Sequence, residues 1–290
     1  MEKKVLILYN VKAGRGRIRR RMDAIEAQFF AAGWVPVPKM LRFGENPFDN
    51  LDCEYNLVVV CGGDGTINYV VNAMRKKGVD YPLGIIPAGT ANDFAGAIGM
   101  HRNPVKAAQQ IVGGTEQALD CGKVNDLYFV NIFSFGMFTT TSQHTRVELK
   151  QIMGRAAYMI EALKELKKLH GIPLTITSDN EAFYYPTLMG LVFNGETAGR
   201  FPLARNASMR DGLLDCVILR RDRRIEEVWS ALKYLASGKT NEDVIHLRST
   251  RFEISSPLSP LTDVDGQPGA EFPVTVECLH NSLRVVCPQE

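Results

Sequence analysis

One stretch constrains this chain more than any other: Val58-Val59-Val60-Cys61-Gly62-Gly63-Asp64-Gly65-Thr66-Ile67-Asn68. An apolar run stops at Gly-Gly-Asp-Gly-Thr, and a helix-like pattern follows. Val58 to Cys61 is expected to be a buried strand. The glycines let the backbone turn sharply and approach a ligand with no Cβ in the way. Thr66 is expected to cap a helix that begins near Ile67. A strand, a glycine turn and a helix N-terminus together make a place for phosphate. Asp64 adds a carboxylate to that place. Two negative groups sharing a site call for a cation between them, and Mg²⁺ is the usual one in nucleotide chemistry. The same string also serves an ordinary tight strand–helix turn, so a second motif has to support the phosphate reading.

That second motif lies one strand and one helix downstream. Ile67, Val70, Val71 and Met74 form a helical stripe that Lys76, Lys77 and Gly78 end. Leu83-Gly84-Ile85-Ile86-Pro87 is the next strand, and Ala88-Gly89-Thr90-Ala91-Asn92-Asp93-Phe94 turns after it. Thr90 offers a hydroxyl to phosphate, and Asp93 suits the positive end of the helix that follows. Before both motifs, Val5 to Tyr9 reads as a strand and Asn10 to Gly16 as its turn. Arg19 stands where a dinucleotide fingerprint needs its third glycine, and no GxxxxGK[ST] is present. Ile18, Met22, Ile25 and Phe29 mark one helix ending near Gly33, and Val35 to Leu41 a further strand. Alternating strands and helices indicate a parallel α/β sheet. Its ligands gather at the carboxyl ends of the strands, where both glycine turns lie and can face one crevice.

From about Cys121 the texture changes. Phe129 to Phe138 is aromatic and strand-like, and a helix with Ile152, Ala156, Met159, Leu163 and Leu166 follows. Strand candidates then dominate: Leu174–Thr177, Thr187–Asn194, Leu214–Leu219, Arg251–Ser255, Val274–Cys278 and Leu283–Val286. One helix, with Ile225, Val228, Trp229, Leu232 and Leu235, interrupts them. The pattern suggests an antiparallel sandwich. The expected domains are therefore residues 1–122 and 123–290.

Composition narrows the setting. A net charge of +2 does not single out a nucleic-acid partner, and none is expected. Arg15, Arg17, Arg19, Arg20 and Arg21 cluster early, and Arg220, Arg221, Arg223 and Arg224 late. Such runs are usually solvated faces; they also suit phosphate or an anionic membrane surface. Six cysteines, none in a CxxC pair, fit reduced core thiols in a cytoplasmic protein. Val5 to Tyr9 is too short for a signal segment, and no run approaches the roughly 18 apolar residues that span a bilayer. Membrane contact is thus expected to be peripheral. Edge strands of the second domain can pair two copies as a homodimer.

The two motifs together resemble the diacylglycerol kinase catalytic-domain family, in particular its soluble bacterial lipid kinases, whose relatives include sphingosine and ceramide kinases. Two later stretches agree. Arg210-Asp211-Gly212-Leu213-Leu214-Asp215 is similar to that family's Asp-Asp-Gly-Leu-Leu-Asp, and Asp263-Val264-Asp265-Gly266-Gln267 to its late Asp-Gly-Glu. The resemblance implies an N-terminal nucleotide domain like that of NAD kinases and phosphofructokinases and a C-terminal β-sandwich, with the site between them. It implies transfer of the γ-phosphate of ATP to the hydroxyl of a lipid, diacylglycerol-like, at a membrane surface. The implied ATP contacts are Asn10, Gly62, Gly63, Asp64, Gly65, Thr66, Ile67, Asn68, Gly89, Thr90, Asn92 and Asp93. Asp64 would help hold Mg²⁺ or position the γ-phosphate, and Asp265 would take the proton from the lipid hydroxyl. A second, structural Mg²⁺ is implied at the Asp-Gly-Leu turn, held by Asp211 and the carbonyls of Ser208 and Leu213. A lipid acceptor also needs an apolar surface, part of which Phe133, Phe135, Met137 and Phe138 could supply, but core packing is the favoured reading for each.

Three positions depart from the family pattern. Asn10-Val11-Lys12-Ala13-Gly14 stands where the family reads Asn-Pro-x-Ser-Gly. Val37-Pro38-Lys39-Met40-Leu41 lacks the family's threonine. Gln267 replaces the usual glutamate, and an amide cannot accept a proton at neutral pH. Asp265 keeps its Asp-Gly setting, which makes it the implied base. Two rivals remain: an NAD kinase, which shares the first glycine turn, and a catalytically silent binder of nucleotide or lipid.

Overall fold

The computed structural model describes residues 2–11, 13–136, 171–179, 181–220 and 244–289. The expected helices at Ile152–Leu166 and Ile225–Leu235 lie outside the described residues, as do Met137, Phe138, Arg221, Arg223 and Arg224. The chain divides into Met1–Asp120 with Asn281–Glu290, and Cys121–His280.

In the first unit, strands β1 (Lys3–Tyr9), β2 (Trp34–Met40), β3 (Leu57–Gly62) and β4 (Leu83–Pro87) run parallel in the order β2-β1-β3-β4. Val5 to Leu8 and Val58 to Cys61 are fully buried, as continuous apolar runs in a covered parallel sheet must be. Helix α1 (Arg17–Arg20) and helix α2 (Met22–Ala31) replace the single expected helix. Arg21 interrupts them, its amide donating to Ile18 at the shorter spacing of a tightened turn. Ile18, Met22, Ile25 and Phe29 are all buried, so the apolar stripe holds across the break.

Helix α3 (Asp64–Lys77) starts earlier than its sequence suggests. Gly63, not Thr66, is its N-cap, because Gly62-Gly63 completes the turn before Asp64. Gly78, in the left-handed region, ends it after Arg75, Lys76 and Lys77. Short α4 (Asp93–Ala97) follows the second glycine turn. Helix α5 (Pro104–Val112) was not anticipated, although its start is well marked. The Asn103 side chain accepts from the amides of Val105 and Lys106 at 3.0 and 3.4 Å, with proline in the first position.

The remaining strands are β5 (Thr115–Val124), β6 (Leu127–Phe129), β7 (Ile132–Gly136), β8 (Ile172–Ser178), β9 (Glu181–Phe193), β10 (Thr197–Ala198), β11 (Phe201–Pro202), β12 (Leu214–Arg220), β13 (Val244–Ser249), β14 (Arg251–Ser255), β15 (Thr262–Val264), β16 (Gln267–Pro268) and β17 (Val274–Cys287). Sequence alone ends the first domain at 122 and gives everything after it to the second. In the structure the chain returns to the first unit at Asn281, because Val285 of β17 pairs in parallel with Leu83 of β4. The strands expected at Val274–Cys278 and Leu283–Val286 are thus one element, β17.

Pairing within the second unit is antiparallel. The first half of β9 forms a hairpin with β8, and its second half lies between β7 and β12. β13 extends β12, β14 extends β8, and β15 extends β7. Period-two alternation sends β12 to two apolar clusters. Leu214, Cys216 and Ile218 join Phe129, Phe133, Phe135 and Phe252, while Val217 and Leu219 join Leu191 and Phe193. Both faces of β12 are covered, so it reads as a continuous apolar run. Burial in this core pushes the Cys216 thiol up to about 12. Phe133 and Phe135 are core residues, at 0% and 1% exposure, so neither forms the apolar acceptor surface considered for them.

Gly190 of β9 pairs with Phe135 of β7, and a Cβ there would lie 2.0 Å from the Phe135 ring. That ring is held by Phe133 and Phe272, at 5.6 and 5.7 Å between centroids. Gly190→Ala is expected to cost about 1–3 kcal/mol by overpacking. Urea denaturation checks it, and an unchanged midpoint would contradict the packing.

Candidate functional site

Three strand ends lie level at the carboxyl edge of the parallel sheet in the first unit. Tyr9 is registered against Cys61, and Gly62 against Pro87. The Asn10 amide donates to the Cys61 carbonyl at 3.2 Å, and the Ala88 amide to the Gly62 carbonyl at 2.7 Å. The turns after β1, β3 and β4 are therefore joined by backbone before any side chain acts. The Asn10 side-chain amide then reaches the Thr66 hydroxyl at 3.4 Å, tying the first turn to α3.

The two glycine turns touch. A Cβ on Gly63 would stand 2.8 Å from the Gly89 Cα, and one on Gly89 2.5 Å from the Gly63 Cα. No residue with a side chain fits either position without moving the opposite backbone. Asn92 holds the second turn in place. Its Oδ1 accepts from the Gly89 amide at 2.7 Å, and its Nδ2 donates to the Gly89 carbonyl at 3.0 Å. Asn92 itself adopts φ of +55, in the left-handed region that asparagine tolerates better than most residues. Its side chain is a clamp on the turn.

Asp64 sits where these turns meet, in the first turn of α3. Its Oδ1 accepts from the Phe94 amide at 3.1 Å, which joins α3 to α4. Burial pushes the Asp64 carboxyl up from its ordinary value. The neighbouring Asp93 carboxylate adds to the rise, and the Phe94 amide opposes it. Two carboxylates crowded at the N-termini of α3 and α4 form an environment that a cation would relieve.

The other expected phosphate contacts divide by exposure. Gly89 and Thr90 are exposed, while Gly63 and Gly65 are half-buried. Thr66 is buried and holds Asn10. Ile67 is fully buried, and its amide donates to the Gly63 carbonyl at 3.1 Å. It therefore brings neither side chain nor backbone donor to a ligand. Asn68 is also buried, with its carbonyl and Oδ1 both accepting from the Asn72 side chain. Arg17, Arg19, Arg20 and Arg21 are exposed on and beside α1.

In the second unit, Asp265 is 8% exposed and lies at φ of +48. Its Oδ2 accepts from the Val130 amide at 2.7 Å, and its Oδ1 from the Asn131 and Ile132 amides at 3.0 and 2.9 Å. The Asp265 amide in turn donates to the Ile132 carbonyl at 3.0 Å. The carboxylate thus fixes the Val130–Ile132 segment. Asp263 accepts from the Gly266 amide at 2.8 Å, and Gln267 is exposed.

The Asp211 turn carries a different cation from the one expected. Asp211 Oδ1 accepts from the Leu213 amide at 3.0 Å, and its Oδ2 meets the Arg248 guanidinium. Ser208 Oγ accepts from the Arg210 amide at 3.3 Å. Among the described residues no group of three or more His, Cys, Asp or Glu side chains forms a metal cluster. The donors around Asp211 do not fit a divalent metal, since a guanidinium already faces the carboxylate. Arg248 was missed because β13 was missed. The alternation of Ile245-His246-Leu247-Arg248 is the signal that points to it.

Comparison with known proteins covers almost the whole chain. Residues 4–124 match the diacylglycerol kinase catalytic domain. Residues 132–287 match the YegS C-terminal NAD kinase beta sandwich-like domain. A diacylglycerol kinase of Bacillus subtilis (strain 168) is 29% identical over 99% of this chain and 97% of its own length. One from Staphylococcus epidermidis is 28% identical over 100% and 94%. The crystal structure of a diacylglycerol kinase from Bacillus anthracis str. Sterne superposes with a TM-score of 0.82 at 25% identity, covering 99% of this chain and 97% of that one.

Asp64 makes a prediction about stability. Because its folded pKa is raised, the folded state holds the proton more tightly than the unfolded chain does. The group therefore favours the fold below its unfolded pKa, and that contribution is lost as pH rises through the folded value. Asp64→Asn, whose Oδ1 can still accept from Phe94, is expected to raise Tm at neutral pH in metal-free buffer. The gain should shrink toward acid pH. Differential scanning fluorimetry across pH checks this, and a lower Tm at neutral pH would contradict it.

Proposed function

The chain belongs to the diacylglycerol kinase catalytic-domain family, and from that premise we propose that it transfers the γ-phosphate of ATP to the hydroxyl of a diacylglycerol-like lipid. The observation that carries the reading is the contact of Gly63 with Gly89 around Asp64. Phosphoryl transfer needs the γ-phosphate positioned, its charge offset and an oxygen nucleophile in line. Glycine turns at strand ends bring backbone amides to a phosphate without obstruction. The raised Asp64, beside Asp93, suits a Mg²⁺ that arrives with the nucleotide and offsets phosphate charge. Thr90, exposed on the second turn, offers its hydroxyl to phosphate.

Two carboxylates compete for the proton of the acceptor hydroxyl. Asp265 is the residue that the family resemblance assigns. Its three amide donors give it a second, structural task, since an Asp265→Asn amide would point a donor at backbone donors. Asp64 is a carboxylate whose pKa burial raises above its ordinary value. The acceptor lipid lies in a membrane, and the exposed arginines of α1 are suited to meet an anionic surface.

A specific observation also favours a second reading, a catalytically silent binder. Gln267 replaces a glutamate, Ala13 replaces a serine, and the Asp265 carboxylate is engaged by backbone. One assay separates the readings. Purified protein with labelled ATP and Mg²⁺ is offered diacylglycerol, sphingosine and other lipids in anionic vesicles, and NAD in solution. Label is expected on the diacylglycerol, falling as salt rises. Label on NAD would overturn the lipid reading, and bound ATP with no transfer would establish the silent binder.

Variants then sort the carboxylates. Asp64→Asn is expected to lower transfer by about 100-fold or more. Asp265→Asn is expected to abolish transfer and to destabilise the second unit by about 1–3 kcal/mol. Transfer retained by folded Asp265→Asn would remove it as the base.

A further inference from the structure

We infer that the Asp211–Leu213 turn is held by a cation that the chain itself supplies, the Arg248 guanidinium, and takes no divalent metal. The family resemblance implies Mg²⁺ at this turn, and the residues present do not fit it. Asp211 closes the turn by accepting the Leu213 amide on one oxygen, and its other oxygen faces Arg248. Arg248 is placed there by strand register. β13 pairs with β12 so that Arg248 stands opposite Asp215 and Ser249 opposite Leu214.

The same guanidinium serves a second carboxylate. Its Nε lies 3.7 Å from Oδ2 of Asp215, a residue fully buried at the start of β12. The other oxygen of Asp215 is 2.8 Å from His246 Nε2. A turn carboxylate and a buried strand carboxylate therefore share one positive group. That is the electrostatic task a metal would perform at this corner. Guanidinium performs it without demanding a shell of oxygens, because its planar fork offers five donors and is always charged. Mg²⁺ requires near-octahedral oxygen donors at about 2.0–2.1 Å. The space beside Asp211 is instead given to Arg248.

The test is made without nucleotide and in the Asp64→Asn background, so that metal at the phosphate turn does not report. After dialysis against a chelator-free buffer, bound metal is measured by mass spectrometry. Tm is recorded with EDTA, with millimolar Mg²⁺ and with millimolar Ca²⁺. Metal well below one per chain and a Tm indifferent to all three additions are expected. One tightly held Mg²⁺ or Ca²⁺ per chain, with Tm lowered by EDTA, would overturn the inference.

A mutant cycle supplies the second arm. Arg248→Met is expected to lower Tm by about 2–4 °C, and adding Asp211→Asn should lower it no further. Additive losses would show that the two side chains act separately and would overturn the pairing. Where Arg248→Met does not fold, the metal measurement on the parent decides alone.

Discussion

The meeting of Gly63 with Gly89 is the constraint on which the first unit's chemistry rests. Adjacent strands lie about 4.8 Å apart, and parallel register sets Gly62 against Pro87. The turns leaving β3 and β4 must then begin side by side. With Cβ atoms present they would have to splay. Their absence lets α3 and α4 start close together, near enough for Asp64 of one to accept the Phe94 amide of the other. The position and the burial of that carboxylate both follow from two missing methyl groups.

Much of this was legible in the sequence because parallel strands announce themselves as unbroken apolar runs. The meeting of the two glycine turns was legible too, since both follow strands that end at the same edge of the sheet. The pairings within the site were not. Asn10 with Thr66 and Asp64 with Phe94 are contacts between residues distant in the chain, and they depend on strand order, which periodicity does not encode. The helix start was misplaced for a related reason. Thr66 has the chemistry of a cap, but Gly62 and Gly63 complete the turn sooner, and the threonine hydroxyl is taken by Asn10. Ile67 and Asn68 followed the motif into the expected site, although helical geometry points their side chains inward.

The second unit was harder to divide than to classify. Continuous apolar runs in β12 and the second half of β9 mark strands covered on both faces, whereas in β13 His246 and Arg248 are exposed. Phe133 and Phe135 pack in the core, the reading favoured for them from the sequence. Gly190 explains where those rings go, since a residue without a side chain opposite Phe135 leaves room for one ring in the core. The last strand was read as two because its middle is polar, and pairing with β4 reveals it as one.

Asp64 and Asp265 are the same residue in opposite circumstances. Asp265 has a full complement of amide donors, so its negative charge is stabilised locally and the Val130–Ile132 segment depends on it. Asp64 also receives backbone hydrogen bonds, from Phe94, Asn92 and its own amide, yet burial and the neighbouring carboxylate still raise its pKa, so ionisation there works against the fold. A folded chain tolerates such a position because residues at functional sites are selected for what they bind. On the proposed function, a cation arriving with the nucleotide removes the penalty, and the binding free energy includes that relief. The carboxylate that weakens the empty protein is then the one that distinguishes a loaded site from a bare glycine turn.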